Sequence, residues 1–174
     1  MRRVFKLVAS VLVLMVSAQG QAPTEYQIKA AFIYNFAKFV DWPSLDTAAS
    51  DQPIIVGVLG EDPFGQNLEG VINGKTANGR RVAIKRFANL QSLTPCHILF
   101  ISSSQRNLQQ VFSAVAASGV LTIGETDRFA DTGGIIQLAM VEGRVRLVVN
   151  QAAAERAGLR ISAKLLGLAR VIRK

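Results

Sequence analysis

Three short runs, IIVGVLG (54–60), HILFIS (97–102) and VLTIGE (120–125), constrain the fold more than anything else in the chain. Each is almost wholly apolar, shows no alternation, and is too short for a typical helix. That is the mark of strands buried on both faces, as in a parallel sheet covered by helices. The intervening stretches supply the helices. In EDPFGQNLEGVING, Asp62 is a natural N-cap and Pro63 suits a first helical position. SQRNLQQVFSAVAASG predicts an amphipathic helix from Ser104, closed by Gly119. RRVAIKRFA (80–88) sets Val82 and Ile84 against charges and reads as a half-exposed strand nearer a sheet edge, after loop chemistry from Gly74 to Gly79.

IIQLAMVEGRVRLVVN (135–150) reads as a hairpin turning at Glu142-Gly143, preceded by a turn in TDRFADTGG. The remaining residues predict two helical pieces broken at Gly158, the second with Ile161, Leu165, Leu168 and Ala169 on one stripe. Together these elements predict an α/β fold, a single-domain sandwich with a central mixed sheet flanked by helices. The sheet should be parallel in the middle and antiparallel toward the terminal hairpin.

Upstream, FIYNFAKFVDWP (32–43) gathers three Phe, a Tyr and the chain's single Trp. A helix is expected from N-cap Thr24 to near Asp41, because Pro43 disfavours helix at Trp42. Glu25 falls at N1 rather than at the N3 position of a capping box. At 100° per residue, Ile28, Phe32, Ile33, Phe36, Phe39 and Val40 share one arc, with Tyr34, Asn35, Lys38 and Asp41 opposite. The arc is assigned to the core. The outer face (Tyr34, Lys38), with Trp42 where exposed, is the candidate partner surface. Residues 44–52 read as a loop.

The N-terminus addresses location. Arg2, Arg3 and Lys6 precede an apolar run from Leu7 to Val16, and Val16-Ser17-Ala18 offers small residues for cleavage. This is the layout of a secretory signal peptide cleaved near Ala18, with an apolar core about half the length of a membrane span. The expected organisation is residues 1–18 as signal peptide, 19–52 as N-terminal helix and linker, and 53–174 as the α/β core, the last two packed as one domain. Cleavage removes three cations and no acids, lowering the formal charge from +8 to +5. A mildly basic exported chain favours encounters with anionic surfaces; scattered arginines on a secreted protein argue against nucleic acid.

The search for chemistry returns no catalytic, cofactor-binding or metal constellation. Cys96 and His97 are the chain's single Cys and single His, and adjacent strand residues point to opposite faces. Cys96 is expected buried in a strand, His97 at a strand edge with a local hydrogen bond. No G-x-S-x-G elbow, P-loop or G-x-G-x-x-G occurs. The protein is therefore read as a non-enzyme without a cofactor. A crevice at the carboxyl ends of the strands remains the candidate ligand site, lined by Glu61, Asp62, Ser103, Ser104, Glu125 and Thr126.

Four blocks in order, EYQIKAAFIYNFAKFVDWP, GRRVAIKRF…CHILFIS, TIGETDRFADTGGIIQL and GLRISAKLLGLARVI, resemble the YfiR family of exported bacterial proteins. The resemblance spans essentially the whole mature chain and implies a periplasmic α/β domain. It further implies a regulator that inhibits a membrane-bound diguanylate cyclase through the cyclase's periplasmic sensor domain, lowering cyclic-di-GMP and hence adhesion and biofilm formation. An outer-membrane peptidoglycan-binding lipoprotein would relieve that inhibition; a homodimer is a further candidate assembly. The alternative is a periplasmic small-molecule-binding module feeding a signalling receptor. The best-known relative has paired cysteines, whereas this chain has Cys96 alone, which puts redox control through an internal bridge in doubt.

Overall fold

The computed structural model of the protein describes residues 22–46, 51–116 and 118–174. The expected signal peptide and cleavage point lie outside the described residues, as does part of the 44–52 loop. Helix α1 (Glu25–Phe39) leads into β1 (Val40–Asp41) and a short α2 (Pro43–Asp46). Then follow β2 (Ile54–Leu59), α3 (Gln66–Ile72), β3 (Thr76–Ala77), β4 (Arg80–Phe87), β5 (Ile98–Ile101), α4 (Leu108–Val115) and β6 (Leu121–Gly124). The chain continues through β7 (Ile136–Val141), β8 (Arg144–Asn150), α5 (Gln151–Arg156), β9 (Arg160–Ile161), α6 (Ala163–Leu166) and β10 (Ala169–Ile172).

The architecture is α/β with a central mixed sheet between helical layers, in the order β10-β8-β7-β6-β5-β2-β4-β3. β4, β2, β5, β6 and β7 run parallel, and β7–β8 is the expected antiparallel hairpin. Its turn places Glu142 and Gly143 at φ 50° and 71°, the left-handed pair that a tight two-residue hairpin needs. In β5, Ile98 and Phe100 face a core shared with α1, α3, α5 and α6, while Leu99 and Ile101 face a smaller core closed by Val111 and Val115 of α4. Burial on both faces is what the unbroken apolar runs encode.

Several expectations need correction. The α1 stripe is rotated: Lys29, Ala30, Ile33, Phe36 and Ala37 are buried, whereas Ile28, Phe32 and Phe39 are half-buried. Alanines at 30 and 37 let the helix approach the layer beneath it, so the bulky aromatics fall on the flank. Its capping box is real but uses Gln27, whose Oε1 accepts from Thr24 N–H at 2.8 Å while Thr24 Oγ1 accepts from Gln27 N–H at 3.3 Å. Asp62 does not cap α3; its Oδ1 accepts from Phe64 N–H (2.8 Å) in a local turn, and the helix begins at Gln66. Likewise α4 starts at Leu108, capped by Asn107, not at Ser104. The last segment is not one helix. Ile161 belongs to β9, which pairs with β1, and Ala169 to β10, a parallel edge strand beside β8.

Candidate functional site

At the carboxyl edge of the parallel strands, the candidate crevice residues are tied to neighbours. Glu61 N–H donates to Ser104 Oγ (3.0 Å), which in turn donates to Ser102 Oγ (3.2 Å). Asp62 Oδ2 holds Arg86 Nε at 2.7 Å, and Arg86 Nη1 reaches Glu69 Oε1 at 2.6 Å. Arg86 is bracketed by carboxylates, Glu69 first, which raise its pKa; reciprocally, Arg86 holds the Glu69 carboxyl below the usual range. Glu125, beyond β6, belongs to a separate group. Its Oε2 pairs with Lys29 Nζ, and its Oε1 accepts from Tyr26 O–H at 3.4 Å.

Lys29 is only 2 % exposed and also pairs with Glu25 one turn earlier. Burial alone would depress the ammonium, but hydrogen bonds and charge from Glu125 and Glu25 offset it and raise the pKa. Burial, then the Glu125 charge, raises the Tyr26 phenol in turn. Ser103 is exposed, and Thr126 Oγ1 is buried without a hydrogen-bond partner among the described residues. The strand-end residues are thus not one crevice: Asp62 and Glu125 sit in separate ionic networks, Glu61 and Ser104 in a serine cluster, and Ser103 and Thr126 in neither. Each cation in those networks is already matched by two carboxylates.

The outer face of α1 is chemically different. Tyr34 O–H donates to Thr76 O at 2.9 Å, leaving its ring beneath the ammonium groups of Lys38 (4.6 Å) and Lys75 (5.1 Å). Phe39 lies under Lys38 and Lys164 (5.7 and 5.1 Å). Beside it, Phe32, Asn35, Phe39, Lys164, Leu165 and Leu168 line a groove of about 270 Å³, with Leu168 70 % exposed. Trp42 is not part of this surface. It is buried, with its indole N–H donating to His97 O (3.2 Å) and its ring edge-on to the imidazole, because the chain folds back over the start of β5 after α1. Leu168 falls on the apolar stripe that the sequence suggests, but the segment is not one helix, and its side chain is left exposed.

Cys96 and His97 sit where their side chains diverge. Cys96 is buried just before β5, and burial pushes its thiol up to about 11, which suppresses thiolate chemistry. His97 Nδ1 accepts from Ile55 N–H at 2.9 Å, and burial, with Arg80 nearby, lowers its pKa. Among the described residues no cluster of three His, Cys, Asp or Glu side chains could hold a metal ion, and no helix is long and apolar enough to cross a membrane.

Residues 26–170 match the YfiR/HmsC-like family over nearly the whole described fold. The chain belongs to that family. Membership points to a periplasmic regulator of diguanylate cyclase signalling, in a family that is regulatory rather than catalytic. The YfiR/HmsC-like domain begins with α1 and ends within β10, so the helix bearing the lysine-capped aromatics is part of the family unit.

Proposed function

We propose that this YfiR/HmsC-like protein inhibits a membrane-bound diguanylate cyclase by docking on the cyclase's periplasmic sensor domain, and so lowers cyclic-di-GMP. The family match over residues 26–170 carries this reading. The outer face of α1 is the docking surface that best suits it. Half-buried aromatic rings there carry the ammonium groups of Lys38, Lys75 and Lys164, and exposed Leu168 adds apolar area. Such a surface suits an acidic partner patch with an apolar centre. A peptidoglycan-binding outer-membrane lipoprotein would relieve inhibition by sequestering the regulator.

Deleting the gene should raise cyclic-di-GMP and surface attachment, and re-expression should reverse both. If neither quantity changes on deletion, the reading fails. The alternative, a small-molecule-binding module, draws support from an amphipathic cavity of about 580 Å³ at the other edge of the sheet.

A further inference from the structure

That cavity lies away from the strand-end networks and from the outer face of α1. Its floor is the entry to β6 and β7, where Val120 and Ile135 sit beside Val115 and Phe112 of α4. Phe112 is braced edge-on against the fully buried Phe129, with ring centroids 5.4 Å apart. At one lip, Gln109 Nε2 donates to Thr132 O at 2.8 Å, joining α4 to the segment before β7. At the other stands Arg156 of α5, the one charged residue among the described residues lining the space. Its Nη1 and Nη2 both donate to Lys174 O, at 3.2 and 3.1 Å, which fixes the plane of the guanidinium. Those bonds occupy the Nη1–Nη2 end, so the Nε side edge remains as a fork of matched donors.

A cleft of this size, open on one side, with an apolar floor and few convergent polar groups is a common form of a small-ligand site. The only formal charge in the lining is positive; the Lys174 ammonium nearby is matched by the Asp131 carboxylate, so Arg156 carries the electrostatic case alone. We propose that this cavity binds a small amphipathic anion, an apolar body bearing one carboxylate. The carboxylate pairs with Arg156, and the apolar body lies over Phe112, Val115, Val120 and Ile135. Carboxylate recognition by a planar, pre-oriented guanidinium supplies the specificity, and burial of the apolar part supplies most of the affinity. The site requires no cyclase, so the proposal stands or falls independently of the inhibitor reading.

The test titrates octanoate into the protein by calorimetry, with octan-1-ol and octylamine as controls. Saturable octanoate binding is expected, with both controls weaker. Arg156→Gln should weaken octanoate by about tenfold or more, the usual worth of a charged hydrogen bond. Ser113→Phe, which fills the cavity from the α4 wall, should abolish binding with circular dichroism unchanged. Absence of saturable octanoate binding below its micellar range overturns the proposal. So does undiminished binding to Ser113→Phe, which would place the ligand elsewhere, or to Arg156→Gln, which would remove the anion assignment.

Discussion

Lys29 illustrates how a single side chain can join distant parts of the chain. Its ammonium sits between Glu25, on the same helix, and Glu125, 96 residues away, at only 2 % exposure. Removing one partner of a buried pair strands the other charge, at a cost of about 3–5 kcal/mol. Lys29→Met is therefore expected to lower unfolding stability by about 3 kcal/mol, because Glu125 is 11 % exposed and, among the described residues, retains only the Tyr26 hydroxyl. Lys29→Met combined with Glu125→Leu should recover most of that loss. Urea unfolding of the wild type, Lys29→Met, Glu125→Leu and the double variant, read as a double-mutant cycle, checks the coupling. Nothing in the sequence around Lys29 announces its partner, since helical periodicity carries no information across 96 residues. The glycines of TIGETDRFADTGG were equally opaque. A Cβ on Gly124 or Gly134 would come within 2.3 or 2.1 Å of the Phe129 ring, so both are backbone walls around a buried aromatic.

At the scale of elements, legibility followed locality. The three buried strands and the Glu142-Gly143 hairpin were readable because burial on both faces and left-handed turns leave local marks. Asn78-Gly79 carried the same turn signal, at φ 51° and 78° between β3 and β4, but passed as loop because its strand β3 is only two residues long. β10 has no local mark. It is a strand because β8 presents an edge to it in parallel register, Ala169 opposite Leu147. The candidate ligand crevice was readable as a set of strand ends; the ion pairs that occupy Asp62 and Glu125 were not.

The rotation of α1 bears on its proposed partner face. Lys38 rests on the rings of Tyr34 and Phe39 at the periphery, with no ion pair among the described residues. Lys38→Glu should weaken binding to the cyclase sensor domain while shifting stability by no more than about 0.5–1 kcal/mol, the range of an exposed cation–π contact. Pull-down with the sensor domain and a parallel thermal melt separate the two effects. A variant that unfolds would show that this face supports the fold instead.

For the whole molecule, His97 ties the amino ends of β2 and β5 and the Trp42 segment to solution pH. Its imidazole accepts from Ile55 N–H, and its backbone carbonyl accepts from the Trp42 indole, so the neutral ring is built into the fold. Its folded-state pKa lies below the ordinary 6.5. The unfolded chain therefore binds the proton more readily, and the stabilisation is complete above 6.5 and lost as pH falls through the folded value. His97→Asn keeps a side-chain acceptor near Nδ1 but cannot titrate. Between about pH 7 and 5 the melting temperature of the wild type should fall more steeply than that of His97→Asn. Parallel slopes would remove His97 from the acid response.

β1 and β9 also pair antiparallel, Val40 with Ile161 and Asp41 with Arg160, and Ser162 N–H donates to Phe39 O at 3.0 Å. The first helix is thus clasped by a segment synthesised long after it. A chain leaving a channel N-terminus first must hold Ile33, Phe36 and Trp42 without their final cover until residues near 160 have followed. Contacts of such long sequence separation form late and slowly. During that interval the helix keeps its apolar face without its last cover, so closure of this part of the core waits on the C-terminal segment of the chain.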